Sequence, residues 1–436
     1  RRNALRKRAA DIRAQGALTE ELAKECEELD READGLRSGI EQLRQTETWQ
    51  YLCDEGILPN YAFPESGVKL KATFYRKNKN KTKSEFSYTH VELVRSASSA
   101  LCEFAPENEF FGNGHRMKIN RVDLKTSTLE TWRFCPACSH AVSETHEHFK
   151  MSDCPVCRNP GWADAGQVHF LLRFRQVFSF SDYKSSLISD SQEDREPVFY
   201  NTKLLVDFDP ADPENKYFGL EDNHAPFAIE FIKRATFREI NFGRVDGGPQ
   251  GFPVAGEDDS KSGFPVCTFC GSLDSDRHTP DCPDRAKSIA DQSTKRVIHL
   301  YHEFRSEAIR LLAPVNEYPL QSEIALESTI AGIYLGLKKH FGGKADHLRI
   351  TRERSETAGG ARLHYIVVYD SIPGGSGYLK DFFTEAAASA DGAGATTFFA
   401  VLEKALEALQ NCRCKNDPEK DGCYRCVLSH KVSRKM

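Results

Sequence analysis

Cysteine spacing is the feature that most constrains what this chain can fold into. The chain has fourteen cysteines in 436 residues, and eleven of them fall in C-x-C or C-x-x-C clusters. Such pairs bring two thiolates to one metal ion, whereas a disulfide framework is typical of small secreted domains. The spacing therefore predicts metal sites in a reducing compartment, and we expect a cytoplasmic protein. The cysteines outside the clusters are Cys26, Cys53 and Cys102.

The first cluster has the pattern C-x2-C-x15-C-x2-C. Its members are Cys135, Cys138, Cys154 and Cys157. Each pair can form a tight knuckle, and two knuckles complete the tetrahedral shell of a structural zinc ribbon. Because four thiolates already fill that shell, three histidines between the pairs are interpreted as bystanders, namely His140, His146 and His148.

The second cluster mixes cysteine and histidine. Its members are Cys267, Cys270, His278 and Cys282. The first two form a C-x-x-C knuckle, and His278 and Cys282 stand four residues apart, which suits one helical turn or a short loop. A Cys3His set of this kind is typical of a closed zinc site.

The third cluster combines a C-x-C pair with a C-x-x-C pair near the C-terminus. Its members are Cys412, Cys414, Cys423 and Cys426. Four cysteines also suit an iron–sulfur cluster, so that alternative stays open for these clusters. Every site has four protein ligands and leaves no position for water, so we expect about three structural Zn²⁺ ions per chain and no catalytic one.

Length and composition are those of a multidomain globular protein. The hydrophobic fraction is 39% and the charged fraction 28%, and the formal net charge of −5 restricts nucleic-acid binding to local patches. The longest apolar runs are far shorter than the ~20 residues that span a bilayer, so we expect no membrane contact. The predicted fold class is α+β or α/β, with a helical arm, a small β module and zinc ribbon, a β-rich middle, and a C-terminal α/β unit closed by the third cluster. The predicted ranges are 1–54, 55–130, 131–164, 165–245, 246–290 (linker and Cys/His zinc knuckle) and 291–436.

The N-terminal arm carries apolar residues at steps of three and four, which is an a/d pattern. The positions are Leu22, Cys26, Leu29, Ala33, Leu36, Ile40 and Leu43. Either a helical arm packed within the chain or a partner-binding coiled coil explains the pattern.

A basic run follows the first predicted strand, in which Val68, Leu70, Ala72 and Phe74 alternate with polar residues. Further strands are predicted at 86–94 and 115–124. Lysines and arginines at a hairpin tip, with Tyr75 nearby, are candidate contacts to DNA phosphates, and so is Arg425. A solvated hairpin end explains the same charges, and that alternative stays open. The basic residues are Lys69, Lys71, Arg76, Lys77, Lys79, Lys81 and Lys83.

From residue 168 onwards, the sequence pattern predicts strands first and then alternating strands and helices. Three apolar stretches, at 168–178, 198–208 and 225–242, predict strands, and the Gly- and Pro-rich residues 243–264 predict a linker or mobile loop. Beyond residue 291 the alternation favours an α/β layer. The predicted strands there are 296–304, 348–351 and 363–369, and the predicted helices are 322–340, 377–390 and 396–410.

A glycine loop joins the strand that ends at Asp370 to the next helix. Its amide groups could bind a phosphate, as helix N-termini do. The candidate residues are Asp370, Gly374, Gly375, Ser376 and Gly377. A tight turn that lets strand and helix pack closely explains the glycines equally well. The loop lacks the G-K-[ST] of a P-loop and the G-x-S-x-G elbow of a hydrolase.

The sequences YDSIPGGSGYL (Tyr369–Leu379) and CRC…DGCYRCV (Cys412–Val427) resemble the cysteine-bearing C-terminal domain of MrfA-type DEAD/DEAH-box helicases, a domain also found in large anti-phage helicases. Further similar stretches are Ile57–Leu70, Ser96–Ile119, Arg173–Ser181 and Phe304–Pro314. The resemblance implies zinc at the third cluster and an ATP-dependent DNA helicase as the parent protein. Both ATPase lobes are missing from these residues, so we expect one piece of a longer polypeptide or complex.

Three functional hypotheses follow from these observations. The first is the DNA-engaging region of a helicase in repair or anti-phage defence, whose partners are DNA and ATPase lobes in the same or another chain, and which uses ATP only through that motor. The second is a non-catalytic zinc scaffold that recruits a defence or repair partner. The third is a nuclease that uses Asp370, for which the sequence shows no complete metal–carboxylate set.

Overall fold

The computed structural model of this chain describes most of the sequence with several gaps. The described residues are 2–14, 22–23, 26, 67–77, 86–125, 127–188, 198–208, 213–219, 227–245, 251–257, 261–273, 278–279, 281–287, 292–293, 295–312, 322–343, 346–356, 362–384, 396–417, 422–423 and 425–426.

The chain divides into two compact units, Arg1–Phe63 and Pro64–Met436. In the first unit, helix α1 spans Arg2–Ala14 and buries Ala9 and Ile12, which lie on one face because they are three residues apart. The buried thiol of Cys26 donates to the carbonyl oxygen of Ala9 at 3.7 Å. The predicted heptad positions after Cys26 lie outside the described residues, so the choice between a packed arm and a coiled coil stays a prediction.

The second unit contains two larger sheets, a small hairpin and several helices. The helices are α2 (Ala97–Glu103), α3 (Ser322–His340), α4 (Tyr378–Thr384) and α5 (Thr396–Gln410). The first strands are β1 (Val68–Lys77), β2 (Phe86–Arg95), β3 (Glu109–Gly112), β4 (His115–Lys118), β5 (Arg121–Val122), β6 (Thr128–Phe134), β7 (Ala141–Ser143) and β8 (Val168–Arg173). The others are β9 (Gln176–Asp182), β10 (Tyr200–Asp207), β11 (Pro213–Gly219), β12 (Phe227–Arg244), β13 (Phe264–Val266), β14 (Arg296–Leu312), β15 (Leu348–Glu356) and β16 (Arg362–Asp370).

The first sheet has four described strands in the order β2-β1-β9-β5. The predicted hairpin of β1 and β2 is confirmed, and Val68, Leu70, Ala72 and Phe74 of β1 point into the core. The third strand, predicted at 115–124, is wrong as one element: β4 pairs with β3, whereas β5 pairs with β9. The break falls at Asn120, whose side-chain amide donates to the carbonyl oxygen of Phe180 and turns the chain towards β9.

The second sheet has ten described strands, built on the path β10-β12-β14-β8-β6-β7. Its centre is the antiparallel pair of β12, with 18 residues, and β14, with 17. Strands are usually about 5–6 residues long, so these two are long enough to carry different neighbours at their two ends. Strand β14 pairs in parallel with β8 over Ile298–Tyr301 and antiparallel with β16 over Ala308–Leu312.

Each of the two larger sheets contains strands from more than one of the domains that the sequence predicts beyond residue 64. Strand β9, from the predicted β-rich middle, completes the sheet of β1 and β2. The zinc-ribbon strands β6 and β7 extend the sheet that also contains β14 and β16. The parts of the predicted ranges that lie beyond Phe63 therefore belong to one compact unit. Periodicity finds each strand but does not identify its partner.

The described part of the predicted linker at 243–264 is packed against the sheet. Val254 and Ala255 are each 1% exposed, and the Phe252 ring stacks on His169 with centroids 3.4 Å apart. The amide of Gly263 donates to the carbonyl oxygen of Phe242 at 2.7 Å. Its glycines and prolines thus make tight turns within the fold, so the interpretation as a mobile linker is wrong for 251–257 and 261–264.

The C-terminal part places helices on one face of an antiparallel sheet. Helices α3 and α5 have the predicted bounds, and α4 covers the first part of the helix predicted at 377–390, whose end lies outside the described residues. Strands β14, β16 and β15 pair antiparallel, so the alternation of helix and strand does not build parallel βαβ units. Residues such as Ile333, Ile366 and Val401 join the two layers in one core. Among the described helices, none combines the length and apolar character of a membrane span.

Breaking an ion-pair network across the central strands should destabilise the second unit. Arg238 on β12 donates to Asp207 at 2.8 Å and to Glu303 at 2.5 Å, with 13% of its side chain exposed. Arg238→Met leaves both carboxylates without their cation, so we expect a loss of about 3 kcal/mol in unfolding free energy, measured by urea denaturation. The exposed Arg116, 3.8 Å from Glu109, is the matched control, and Arg116→Met should cost about 1 kcal/mol or less. Equal costs for the two variants would contradict this view of the network.

Candidate metal centres and glycine loop

The first cluster follows the end of β6. The Sγ atoms of Cys135 and Cys157 lie 3.4 Å apart, those of Cys138 and Cys154 lie 3.7 Å apart, and all four thiols are buried. Zinc at about 2.3 Å from each sulfur would separate tetrahedral ligands by about 3.8 Å. A disulfide needs about 2.05 Å, so the spacing fits shared coordination. The amide of Cys135 donates to the carbonyl oxygen of His140 and closes the knuckle at 2.9 Å.

The crowded thiols of this cluster perturb one another. Hydrogen bonding with Cys135 is the largest cause both of the raised pKa of Cys138 and of the lowered pKa of Cys154. A metal ion binds cysteine as the thiolate, so a divalent cation at this cluster would replace the protons of the four thiols.

The histidines beside the first cluster belong to its packing. The His140 ring lies 5.2 Å from Trp162 and 5.6 Å from His148, measured between centroids. Burial lowers the pKa of His140 to about 4, so its ring is neutral. None of the three histidines is among the four grouped ligand atoms, in agreement with their interpretation as bystanders.

The second cluster lies between β13 and β14. The Nδ1 atom of His278 is 3.3 Å from the sulfurs of both Cys270 and Cys282, and Cys267 lies 3.8 Å from Cys282. The other ring nitrogen, Nε2, lies 3.2 Å from Oε1 of Gln292. An Nε2–H that donates to Gln292 leaves the Nδ1 lone pair facing the sulfurs, which is the orientation a metal ligand needs. Sequence reasoning missed Gln292, which has no motif signal.

The third cluster follows α5. A 3₁₀ turn over Arg413–Asn416 begins directly after Cys412 and includes Cys414, so it places the C-x-C pair on one turn of the chain. Its sulfur separations range from 3.3 Å for Cys412–Cys414 to 3.7 Å for Cys423–Cys426. The amide of Cys423 donates to the sulfur of Cys426 at 3.1 Å. Each of the three described clusters could thus hold zinc with four protein ligands, all within 4.8 Å of one another.

The glycine loop encloses carboxylates of the protein itself. Asp370 is fully buried, and its carboxylate accepts the amides of Ile372 at 2.8 Å and Ser376 at 2.7 Å, as well as the Ser376 hydroxyl. The amide of Gly377 donates to Glu307, a buried residue of β14. A phosphate would have to displace these anions, so the prediction that the loop contacts phosphate is not supported by its geometry.

The remaining loop amides are also used within the protein. The amide of Gly374 donates to the carbonyl oxygen of Arg305 at 2.8 Å, and that of Gly375 to Ile372 at 3.0 Å. His347 reaches the Ser376 hydroxyl at 2.9 Å through Nε2. Sequence reasoning missed His347 and Glu307 because both are distant in the chain. The loop is therefore a turn locked onto β14, which agrees with the alternative of close strand–helix packing.

Four of the predicted DNA-contact residues lie on β1, and all four are exposed. They are Lys69, Lys71, Arg76 and Lys77. Lys69 shares an ion pair of 3.6 Å with Glu92 between side chains about half exposed. Arg425 is exposed beside the third cluster, and Lys79, Lys81 and Lys83 lie outside the described residues. Phe74, noted near the basic run, is a core residue with 1% exposure.

Comparison with known proteins agrees with the geometry of the third cluster. A family model described as the MrfA Zn-binding domain matches residues 331–427. This part of the chain is similar to the MrfA Zn-binding domain. The cysteines within the MrfA Zn-binding domain match are those of the third cluster. The resemblance noted in the sequence is thereby confirmed, and the first two clusters lie outside the match.

Two longer proteins align with most of the chain. The Druantia protein DruE of Escherichia coli (strain UMEA 4076-1) is 23% identical, over 91% of this chain and 21% of the relative. The chain thus spans about a fifth of that protein. A crystal structure of the DUF1998 helicase MrfA bound to DNA aligns over 84% of this chain and 31% of that one, with 12% identity and a TM-score of 0.34.

A methyl group at Gly375 should test how tightly the glycine loop sits on β14. Gly375 has φ +77, and its Cβ would lie 2.1 Å from Cγ of Glu307. Backbone strain and overpacking together should cost Gly375→Ala about 3 kcal/mol in unfolding free energy. Gly377, with φ +87 and open space around its Cβ position, is the matched control, and Gly377→Ala should cost only about 1–2 kcal/mol. Denaturation in urea measures both variants, and an inverted order would contradict the packed loop.

Metal content should follow the three clusters. Elemental analysis of the purified chain should give about three zinc per chain and no stoichiometric iron. Cys426→Ser should reduce the zinc content by about one, because a serine hydroxyl replaces a thiolate ligand. Cys102 lies outside the clusters, and Cys102→Ser should leave the content unchanged. Iron in place of zinc, or equal losses in the two variants, would contradict the assignment.

Proposed function

We propose that the chain is a zinc-stabilised, DNA-engaging region of a larger ATP-dependent DNA helicase whose motor lies outside these residues. The observation that carries the proposal is the third cluster, four thiols in coordination geometry within the match to the MrfA Zn-binding domain. The similarity to a fifth of DruE supports a place within a longer polypeptide. A cytoplasmic role in anti-phage defence or DNA repair, as the sequence resemblance implies, is part of this proposal.

Zinc has a structural role in this proposal. Each cluster supplies four protein ligands, so a bound ion has no free position at which to activate water. The clusters lie in segments that follow β6, precede β14 and follow helix α5. About three ions per chain would hold these segments against the folded core.

ATP reaches this region only through a motor elsewhere, in the same polypeptide or another chain. The sequence has neither a P-loop nor a DExH or DExD box. The glycine loop, which has a strand–loop–helix arrangement, directs its amides to Asp370 and Glu307 and not to an outside anion. Coupling to the motor lobes would therefore be mechanical, through the packing of this region.

DNA contact is proposed for the exposed basic residues of β1. The chain has a net charge of −5, so binding depends on this local concentration of positive charge. Lys71 and Lys77 project from the same face of β1 as Lys69, because residues two apart lie on one side of a strand. Cations in such a row can follow the phosphates of one strand.

The proposal predicts salt-dependent binding to DNA. The zinc-loaded chain should bind labelled single-stranded DNA at low salt, and the logarithm of its affinity should fall linearly with the logarithm of salt concentration. Lys71→Ala should reduce the slope by about 0.7, the contribution of one phosphate contact on a single strand. Lys404, an exposed lysine of α5, is the matched control, and Lys404→Ala should leave the slope unchanged.

Failure of this binding would select the other functional class. If the zinc-loaded chain binds no DNA at low salt in a fluorescence anisotropy titration, the DNA-engaging role is wrong. A stable complex with a protein partner in the absence of DNA would then favour the zinc scaffold. Metal-dependent strand cleavage that is lost in Asp370→Ala would instead favour a nuclease.

A further inference from the structure

One face of the four-stranded sheet combines exposed aromatic rings with positive charge, and we define it as the outer face. Its residues are Lys69, Lys71, Thr73, Tyr75, Lys77, Tyr88, His90, Glu92, Val94, Arg121, Gln176, Phe178, Phe180 and Asp182. They share one side because the strand pairing places them opposite one another at alternate positions. The other side, with Val68, Leu70 and Phe74, packs into the core.

Three rings form a row across neighbouring strands on the outer face. Tyr88 on β2 stands opposite Tyr75 on β1 in the antiparallel register. The rings of Tyr75 and Phe180 are stacked, with centroids 5.0 Å apart and planes inclined by 23°. Tyr88 is 56% exposed and Phe180 43%, and Tyr75 between them is half-buried, so the row is accessible from solvent.

Positive charge lies on both sides of this row. Along β1, Lys77 follows Tyr75, and Lys71 precedes it with Thr73 between them. On β5, the guanidinium of Arg121 lies 4.1 Å from the ring centre of Phe178. Two acidic residues, Glu92 and Asp182, share the face with four cationic ones, and Asp182 caps the following turn by accepting the amides of Lys184 and Ser185. The face therefore carries a net positive charge within a chain that is negative overall.

We infer that the outer face is a platform on which the bases of a single nucleic-acid strand stack on Tyr75, Tyr88 and Phe180, while its phosphates contact the flanking lysines. Sequence-independent single-strand binding requires this pair of features, because every base has a π face and every phosphate a charge. A duplex keeps its base faces inside the stack and cannot use the rings. The inference rests on the proposed DNA-engaging function and specifies its ligand.

The aromatic rings distinguish the proposed stacking platform from a surface that only attracts phosphates. Lysines alone would bind a strand with or without bases, whereas stacking requires the bases. Loss of one base–aromatic stack weakens binding by about 5- to 150-fold, and partly exposed rings belong at the low end of that range. An abasic oligonucleotide of equal length carries the same charge and no bases, so it isolates the contribution of the rings.

The test compares oligo(dT) of about 16 nucleotides with its abasic counterpart by fluorescence anisotropy, using the zinc-loaded chain. The native chain should bind oligo(dT) about a hundredfold more tightly than the abasic strand. The double variant Tyr88→Leu with Phe180→Leu should lose about twenty-five-fold for oligo(dT), because Tyr75 remains, and nothing for the abasic strand. Its salt slope should stay unchanged, because the lysines remain.

Matched variants control for general effects on the fold. Phe399 on α5 is 41% exposed, close to the 43% of Phe180, and Phe399→Leu should bind like the native chain. Tyr88→Phe keeps the ring and should keep the affinity, whereas Tyr88→Leu should lose part of it. Zinc content and the thermal unfolding midpoint show whether each variant is folded. If the double variant unfolds, two comparisons still test the inference. One is between Tyr88→Phe and Tyr88→Leu, and the other is between oligo(dT) and the abasic strand with the native chain.

Two outcomes would overturn the inference in different ways. Equal affinity of the native chain for oligo(dT) and the abasic strand, with the ring variants unchanged, would remove the stacking platform but leave phosphate-mediated DNA binding intact. The outer face would then be a surface for protein, such as a segment of the longer polypeptide. Absence of binding to every oligonucleotide at low salt would overturn both this inference and the proposed function.

Discussion

The antiparallel pairing of β12 and β14 is the interaction on which the rest of the second unit depends. Along one edge, β14 takes β8 as its partner near its beginning and β16 near its end. Between these two partners the glycine loop meets the strand, with Gly374 bonded to the carbonyl of Arg305 and Gly377 to the carboxylate of Glu307. Strand β14 therefore pairs along this edge with β8, the glycine loop and β16 in turn. It joins the half of the sheet next to the first cluster to the C-terminal part that carries the third cluster.

The three clusters complement this sheet. The sheets obtain their stability from buried apolar residues and backbone pairing, whereas the segments around the clusters have few strands of their own. A metal ion bound by four thiolates, or by three thiolates and an imidazole, can hold such a segment in place although few of its residues are buried. The free energy of metal binding then stabilises the fold where a small core would be insufficient. The third cluster lies within the residues that match the MrfA Zn-binding domain, and the two other clusters place four possible ligands together in the same way.

Local patterns of the sequence predicted the elements well and their partners poorly. The bounds of α3 and α5 and the ligand sets of all three clusters follow from periodicity and spacing, which depend on residues close in the chain. The assignment of β9 to the first sheet does not, because its partner β1 lies about a hundred residues earlier. The glycine loop shows the same limit: its motif suggested an anion site, but the anion is Glu307, seventy residues away along the chain. The outer face likewise depends on register, since Tyr88 and Phe180 come to lie on either side of Tyr75 only after three strands have paired.

The parallel pairs have a consequence for how this protein can form. Strand β1 can pair with β9, and β8 with β14, only after more than a hundred further residues have been synthesised. Closing such long loops costs conformational entropy, and this cost precedes the favourable contacts that offset it. Folds with many pairings between distant residues therefore form slowly. During synthesis, β1 and β2 can pair at once as a hairpin, but the sheet edge that receives β9 stays open until much more of the chain has emerged. The order of synthesis thus leaves a growing chain with an unpaired edge for longer than its local elements alone would suggest, and exposed edges of this kind favour association with other chains.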